Sequence, residues 1–116
     1  MPIKSRYLFT AAMDVEPDKD AIFNEVYDKE HVPSLLEVPG VIAVARFKRR
    51  ELEMFIGGER RKIVIEGEPT YTAIYEVESP SVLVTPQWAA AVEKGRWPGQ
   101  VRPYTKNRRH VMWEKV

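Results

Sequence analysis

The chain has 116 residues, 44% of them apolar, with no cysteine and a formal net charge of +1, which is the composition of one folded domain, residues 1–116, with a hydrophobic core. The missing thiols exclude disulfide frameworks, thiolate metal sites, Fe–S clusters and cysteine nucleophiles, and a cytoplasmic location is the expectation. Met1 opens onto a segment with neither a long apolar run nor a small-residue cleavage site, so neither export nor a membrane partner is expected.

Arg6 to Met13 predicts a first strand, apolar on both faces. Glu16-Pro17-Asp18 starts a helix, because proline loses nothing in the first turn and acids favour the positive end of the helix dipole. The helix is expected to run to about Glu30, with Ile22, Val26 and the stem of Lys29 buried and Phe23 and Tyr27 flanking them. His31-Val32-Pro33 ends or kinks it, since Val32 precedes a proline and is biased out of the α region. After one further turn, Pro39-Gly40 redirects the chain into a second strand, Val41 to Phe47. There Arg46 and Lys48 face away from Phe47, and the far end is expected to reach solvent.

Met54-Phe55-Ile56 and Lys62 to Ile65 flank Gly57-Gly58-Glu59, the pattern of an extended β-hairpin. Thr70 to Val77 is β-branched and aromatic, a third sheet strand with Tyr71, Ala73, Tyr75 and Val77 on one face. Ser79-Pro80 and Thr85-Pro86 are cap and first-turn pairs, the second opening a helix that Gly95 closes. A loop carrying Trp97 and Tyr104 leads to a last strand from His110 to Val116, with Val111 and Trp113 opposite His110 and Met112.

The order βαββαβ predicts an α+β, ferredoxin-like fold with a four-stranded sheet and helices on one face. The other face needs cover, and a second copy of the same sheet supplies it, giving a homodimer with a barrel-like core. A cavity is expected between the uncovered sheet face and the connecting loops.

The run Phe23 to Pro33, followed by Leu35, Leu36 and Val38-Pro39-Gly40-Val41, resembles the helix and exit turn of EthD-like members of the dimeric α/β-barrel superfamily, above all in Tyr27-x-x-Glu30-His31-x-Pro33. The strand Tyr71 to Val77 and the Ser79-Pro80 and Thr85-Pro86-x-Trp88 stretch extend the likeness over nearly the whole chain, apart from the Glu51 to Glu68 hairpin. The resemblance implies the fold. It leaves the reaction open among isomerases, aromatic cyclases, oxygenases and accessory proteins.

His31 is the leading catalytic candidate, because a neutral imidazole accepts and returns a proton near neutral pH. The alternative role is structural, a cap on the last helix carbonyls. Tyr27, four residues earlier, is placed to orient it or to hydrogen-bond the substrate, and Tyr75 or Tyr71 to polarise a carbonyl from the pocket wall. Phe9, Met13 and Phe47 are expected to line a substrate pocket, as are Tyr71 and Met112 from the strands and Trp97 and Tyr104 from the loop. Trp88 is expected to anchor the second helix.

No metal or cofactor is expected, since His31 and His110 are the only histidines and no ligand spacing accompanies either. Residues 1–40 carry four Lys/Arg and eight Asp/Glu, whereas residues 41–116 carry fourteen and nine. The basic clusters at Arg46–Arg50, Arg60–Lys62 and Lys106–His110 nevertheless lack a nucleic-acid-binding motif and read as solvated strand ends. The expected function is cofactor-free acid–base chemistry (isomerase, cyclase or lyase type) on a small hydrophobic or aromatic carbonyl compound. The alternative is a non-catalytic small-ligand-binding or accessory protein.

Overall fold

The alternating apolar segments become six strands in a computed structural model that describes residues 3–116. These are β1 (Tyr7–Val15), β2 (Val41–Lys48), β3 (Leu52–Ile56), β4 (Glu59–Ile63), β5 (Tyr71–Val77) and β6 (Thr105–Glu114). Four of them form an antiparallel sheet in the order β2-β5-β1-β6, while β3 and β4 pair only with each other. With helical segments after β1 and β5, this is the ferredoxin-like pattern with a hairpin inserted between its second and third sheet strands. The hairpin turns on Gly57 and Gly58, both at positive φ, which suits the twist of a two-residue connection. Val64 and Ile65 lie beyond its second strand.

Register sorts the side chains into two faces. Phe9 lies opposite Tyr75 and Met112, Ala11 opposite Ala73 and His110, and Met13 opposite Tyr71. This is the face that the helices cover. Leu8, Thr10, Ala12, Ile74, Val111 and Trp113 alternate onto the other, where Phe47 and Trp113 are 56% and 55% exposed. The expected β5 face of Tyr71, Ala73, Tyr75 and Val77 is fully buried.

The first helix does not end where Pro33 suggests. After α1 (Asp20–Val26), residues Tyr27–His31 form a π turn, and α2 (Val32–Leu36) continues the same helical path. Val32 stays helical at φ −60° and ψ −49°, and its N–H bonds the Tyr27 carbonyl five residues back. The wider turn answers the steric demand of Pro33, whose ring crowds the preceding turn and which has no N–H to donate. The buried stripe also differs from expectation. It centres on Phe23, Val26 and Tyr27, while Ile22 is half-buried and Lys29 is exposed, paired with Glu25 at 3.4 Å.

In the second half, Thr85 Oγ1 accepts the Trp88 N–H at 3.2 Å and caps α3 (Pro86–Ala91). The chain then reverses at Gly95, whose φ is +67° and where a Cβ would strike the Glu30 carboxylate. The next backbone N–H, that of Arg96, donates to Glu30 Oε1 at 2.9 Å, and Arg96 Nε donates to Oε2 at 2.6 Å. Glu30 therefore ties the second-half loop to the first helix and is not turned toward His31. A second π turn, Trp97–Val101, follows from that anchor and buries Trp97. No helix among the described residues is long and apolar enough to cross a membrane.

Candidate functional site

The π turn carries Tyr27 and His31 inward together, leaving them 2% and 6% exposed. Trp97 stacks on the His31 imidazole at 4.2 Å between ring centroids, 16° from parallel, and Tyr27 meets the same ring edge-on at 5.0 Å. Two aromatic contacts thus fix the imidazole plane. Its Nδ1 is buried and has no hydrogen-bond partner among the described residues. Burial, with the guanidinium charges of Arg102 and Arg46, lowers the His31 pKa to about 4, against a small opposing effect of Glu93. The ring is neutral at physiological pH.

Beside it, the hydroxyls of Tyr27 and Tyr75 meet at 2.8 Å. Burial raises the pKa of both phenols, Tyr75 well above its ordinary value, so the pair holds two protons and uses one between them. One O–H is left over for a ligand oxygen. Arg46 lies behind the pair: its guanidinium sits 4.4 Å above the Tyr27 ring and donates to Asp28 Oδ1 at 2.7 Å and Asn24 Oδ1 at 2.9 Å. This cation was expected in solvent at the end of β2, yet its side chain is only 15% exposed. The cross-strand pairing of Arg46 with Ala73 turns it onto the helix-covered face, where an aromatic ring replaces water.

These groups form one side of a cavity of about 420 Å³ between the sheet and the helices. It arises because the helical layer spans the sheet without filling the space above Phe9, Ala11 and Tyr75; on the uncovered face, where a cavity was expected, Leu8, Thr10, Ala12, Val111 and Trp113 line a second, open hollow with Glu68 of the connecting segment. Met13 and Trp97 line it as expected, together with Phe9, Tyr27, His31 and Tyr75. Trp88, foreseen as an anchor, forms part of the wall and meets Phe9 edge-on at 6.0 Å.

Four expected pocket residues lie elsewhere. Phe47 points to the open sheet face, as its pairing with Thr72 requires. The Tyr71 hydroxyl donates to Asp20 Oδ1 at 2.6 Å on the far side of Phe23, and Tyr104 lies under the Lys19 ammonium at 4.6 Å. Met112 packs into the core beneath the cavity wall.

The sequence reading overlooked the basic end of the cavity, formed by Arg102, Arg108 and His110. The last strand begins at Thr105, five residues before its expected start, and the register shifts between Ala12 and Asp14 where Asn107 adopts φ +53°. Asn107 Nδ2 holds that bulge by donating to Asp14 Oδ2 at 3.1 Å and to the Gly67 carbonyl at 2.7 Å. Beyond it, Arg108 and His110 alternate onto the helix-covered face, and His110 stacks on Phe9 at 5.9 Å. Asparagine, tolerant of the left-handed region, was the signal in the sequence for such a bulge.

No group of three or more His, Asp or Glu side chains suited to a metal ion occurs among the described residues.

No protein-family model matches the chain, and no curated protein matches it in sequence. Among solved structures it is similar to the haem degrader MhuD of Mycobacterium tuberculosis, seen with two haems in its active site, at 13% identity and a TM-score of 0.61, covering 95% of each chain. It is also similar to SnoaB, a cofactor-independent oxygenase from Streptomyces nogalater, at 13% identity and a TM-score of 0.59, covering 96% of this chain and 93% of that one. An EthD family protein from Bacillus halodurans is similar at 12% identity and a TM-score of 0.56, covering 95% of this chain and 99% of its own. These likenesses establish the fold.

Proposed function

We propose that the chain is a cofactor-free acid–base enzyme, of isomerase, cyclase or lyase type, acting on a small aromatic or hydrophobic carbonyl compound. The observation that carries this reading is the unpartnered, neutral His31 beside a Tyr27–Tyr75 pair with a spare O–H, in one aromatic-walled cavity. A buried polar atom without a partner is the mark of a group completed by something that binds.

In this reading the ligand carbonyl accepts the spare tyrosine O–H. His31 takes a proton from the carbon next to the carbonyl, the C–H electron pair moves toward the carbonyl oxygen, and the resulting enolate is held by the O–H of the tyrosine pair. Return of the proton to another position completes an isomerisation. The likeness in fold to a cofactor-independent oxygenase supports chemistry without a resident cofactor. The Tyr27-x-x-Glu30-His31-x-Pro33 resemblance and the fold likeness to an EthD family protein support an EthD-like assignment. The exposed Phe47, Val111 and Trp113 on the open sheet face support a homodimer built sheet to sheet.

The second reading is a binding protein that uses the same cavity without turnover, favoured by an imidazole that resists protonation down to about pH 4. Exchange of the α-protons of 1-phenylpropan-2-one and phenylpyruvate for solvent deuterium, followed by NMR, separates the two. The enzyme reading expects accelerated exchange that falls about 10²- to 10⁴-fold in a folded His31→Ala variant. Exchange undiminished in that variant removes His31 from the chemistry, and binding without exchange moves the protein to the second reading.

A further inference from the structure

We infer that the ligand of this cavity is an aromatic carboxylate, its ring lodged between the aromatic walls and its carboxylate held at the open end by Arg108 and His110. This deepens the function proposed above and rests on that reading of the cavity.

The charge pattern of the wall selects the ligand. Two guanidinium groups and two imidazoles line the cavity, and no carboxylate does among the described residues. Arg102 is already committed, donating to Glu93 Oε1 at 3.0 Å and to the Val92 carbonyl at 2.8 Å. Arg108 forms no salt bridge or side-chain hydrogen bond among the described residues, whereas Arg109 next to it on the opposite face pairs with Glu68. A guanidinium with free donors is suited to both oxygens of a carboxylate.

Placement along β6 supports the same ligand. Arg108 and His110 are two residues apart on one strand face, about 7 Å along the strand, and both are exposed at the cavity's outer end. The inner end carries His31, the tyrosine pair and the Trp97 that stacks on His31, and Phe9 lies between, 5.3 Å from the Tyr75 ring and 5.9 Å from that of His110. A flat ring with a carboxylate at one side and a carbonyl at the other meets each of these groups in turn. The bulge at Asn107 sets this alternation, a use typical of bulges beside binding sites.

Calorimetric titration of the full chain with phenylpyruvate and with its methyl ester tests the inference. The acid is expected to bind at least about tenfold more tightly than the ester, the preference of one charge-assisted contact. That preference should shrink as salt rises from 50 to 500 mM and collapse toward equality in Arg108→Gln, with partial recovery in Arg108→Lys. Equal affinities for acid and ester, insensitive to salt and to Arg108→Gln, overturn the carboxylate assignment while leaving the acid–base reading standing. Failure of both probes to bind removes the aromatic-carbonyl reading of the cavity and this inference with it.

Discussion

The Tyr27 and Tyr75 hydroxyls share one buried hydrogen bond of 2.8 Å although 48 residues separate them in the chain, joining the π turn to the central strand β5. Removing either hydroxyl leaves the other buried and unpaired. Tyr27→Phe and Tyr75→Phe are each expected to lower stability by about 1–3 kcal/mol. The double variant should lose clearly less than the two added together, with a coupling of about 1 kcal/mol in urea unfolding. Strict additivity would mean that the two phenols do not depend on each other.

His31 makes stability depend on pH in a defined window. Its pKa in the folded chain is about 4, against 6.5 for an ordinary imidazole, so between these values the unfolded chain binds a proton that the folded chain refuses. The contribution is complete above pH 6.5, is lost as pH falls toward 4, and amounts to on the order of 3 kcal/mol. His31→Phe should remove this component. The difference in unfolding free energy between variant and wild type, followed from pH 7.5 to 4, is the measurement. A constant difference across that range would show that the imidazole titrates normally in the fold.

The open sheet face yields a third expectation. Trp113 is 55% exposed, and its Nε1 donates to Thr10 Oγ1 at 3.1 Å, holding the indole flat on β1. Trp113→Lys places a charge within the proposed sheet-to-sheet contact. Sedimentation at micromolar concentration should show a dimer for the wild type and a shift toward monomer for the variant. A wild-type monomer with no concentration dependence would dispose of the interface.

Much of the fold was legible in the sequence because the strands announce themselves locally. Phe9, Tyr75 and Val77 fall on one face by simple alternation, and Thr85-Pro86 is a helix start that its own side chain completes. Where the reading failed, a nonlocal contact had overridden a local rule. Val32 should have left the helix before Pro33, but packing of His31 and Leu35 into the core keeps it helical through a π turn. Arg46 reads as a solvent-facing charge until strand pairing sets it over Tyr27. The His31, Tyr27 and Tyr75 grouping was visible as residue types at helical and strand spacings. The basic end of the cavity was not, because one bulge residue, Asn107, decides which of Arg108 and Arg109 turns inward.

The β3–β4 hairpin has a consequence of its own. All of its strand residues are exposed except Ile63, which is half-buried, and its apolar Met54, Phe55 and Ile56 touch no part of the main core. A lone two-stranded ribbon is marginally stable in water, so this segment opens and closes on its own free-energy scale, far below that of the sheet. The cavity beside His31 is built wholly from other elements. The molecule is therefore modular: length and sequence in the ribbon are free to drift, or to acquire a partner, without changing a residue that lines the cavity.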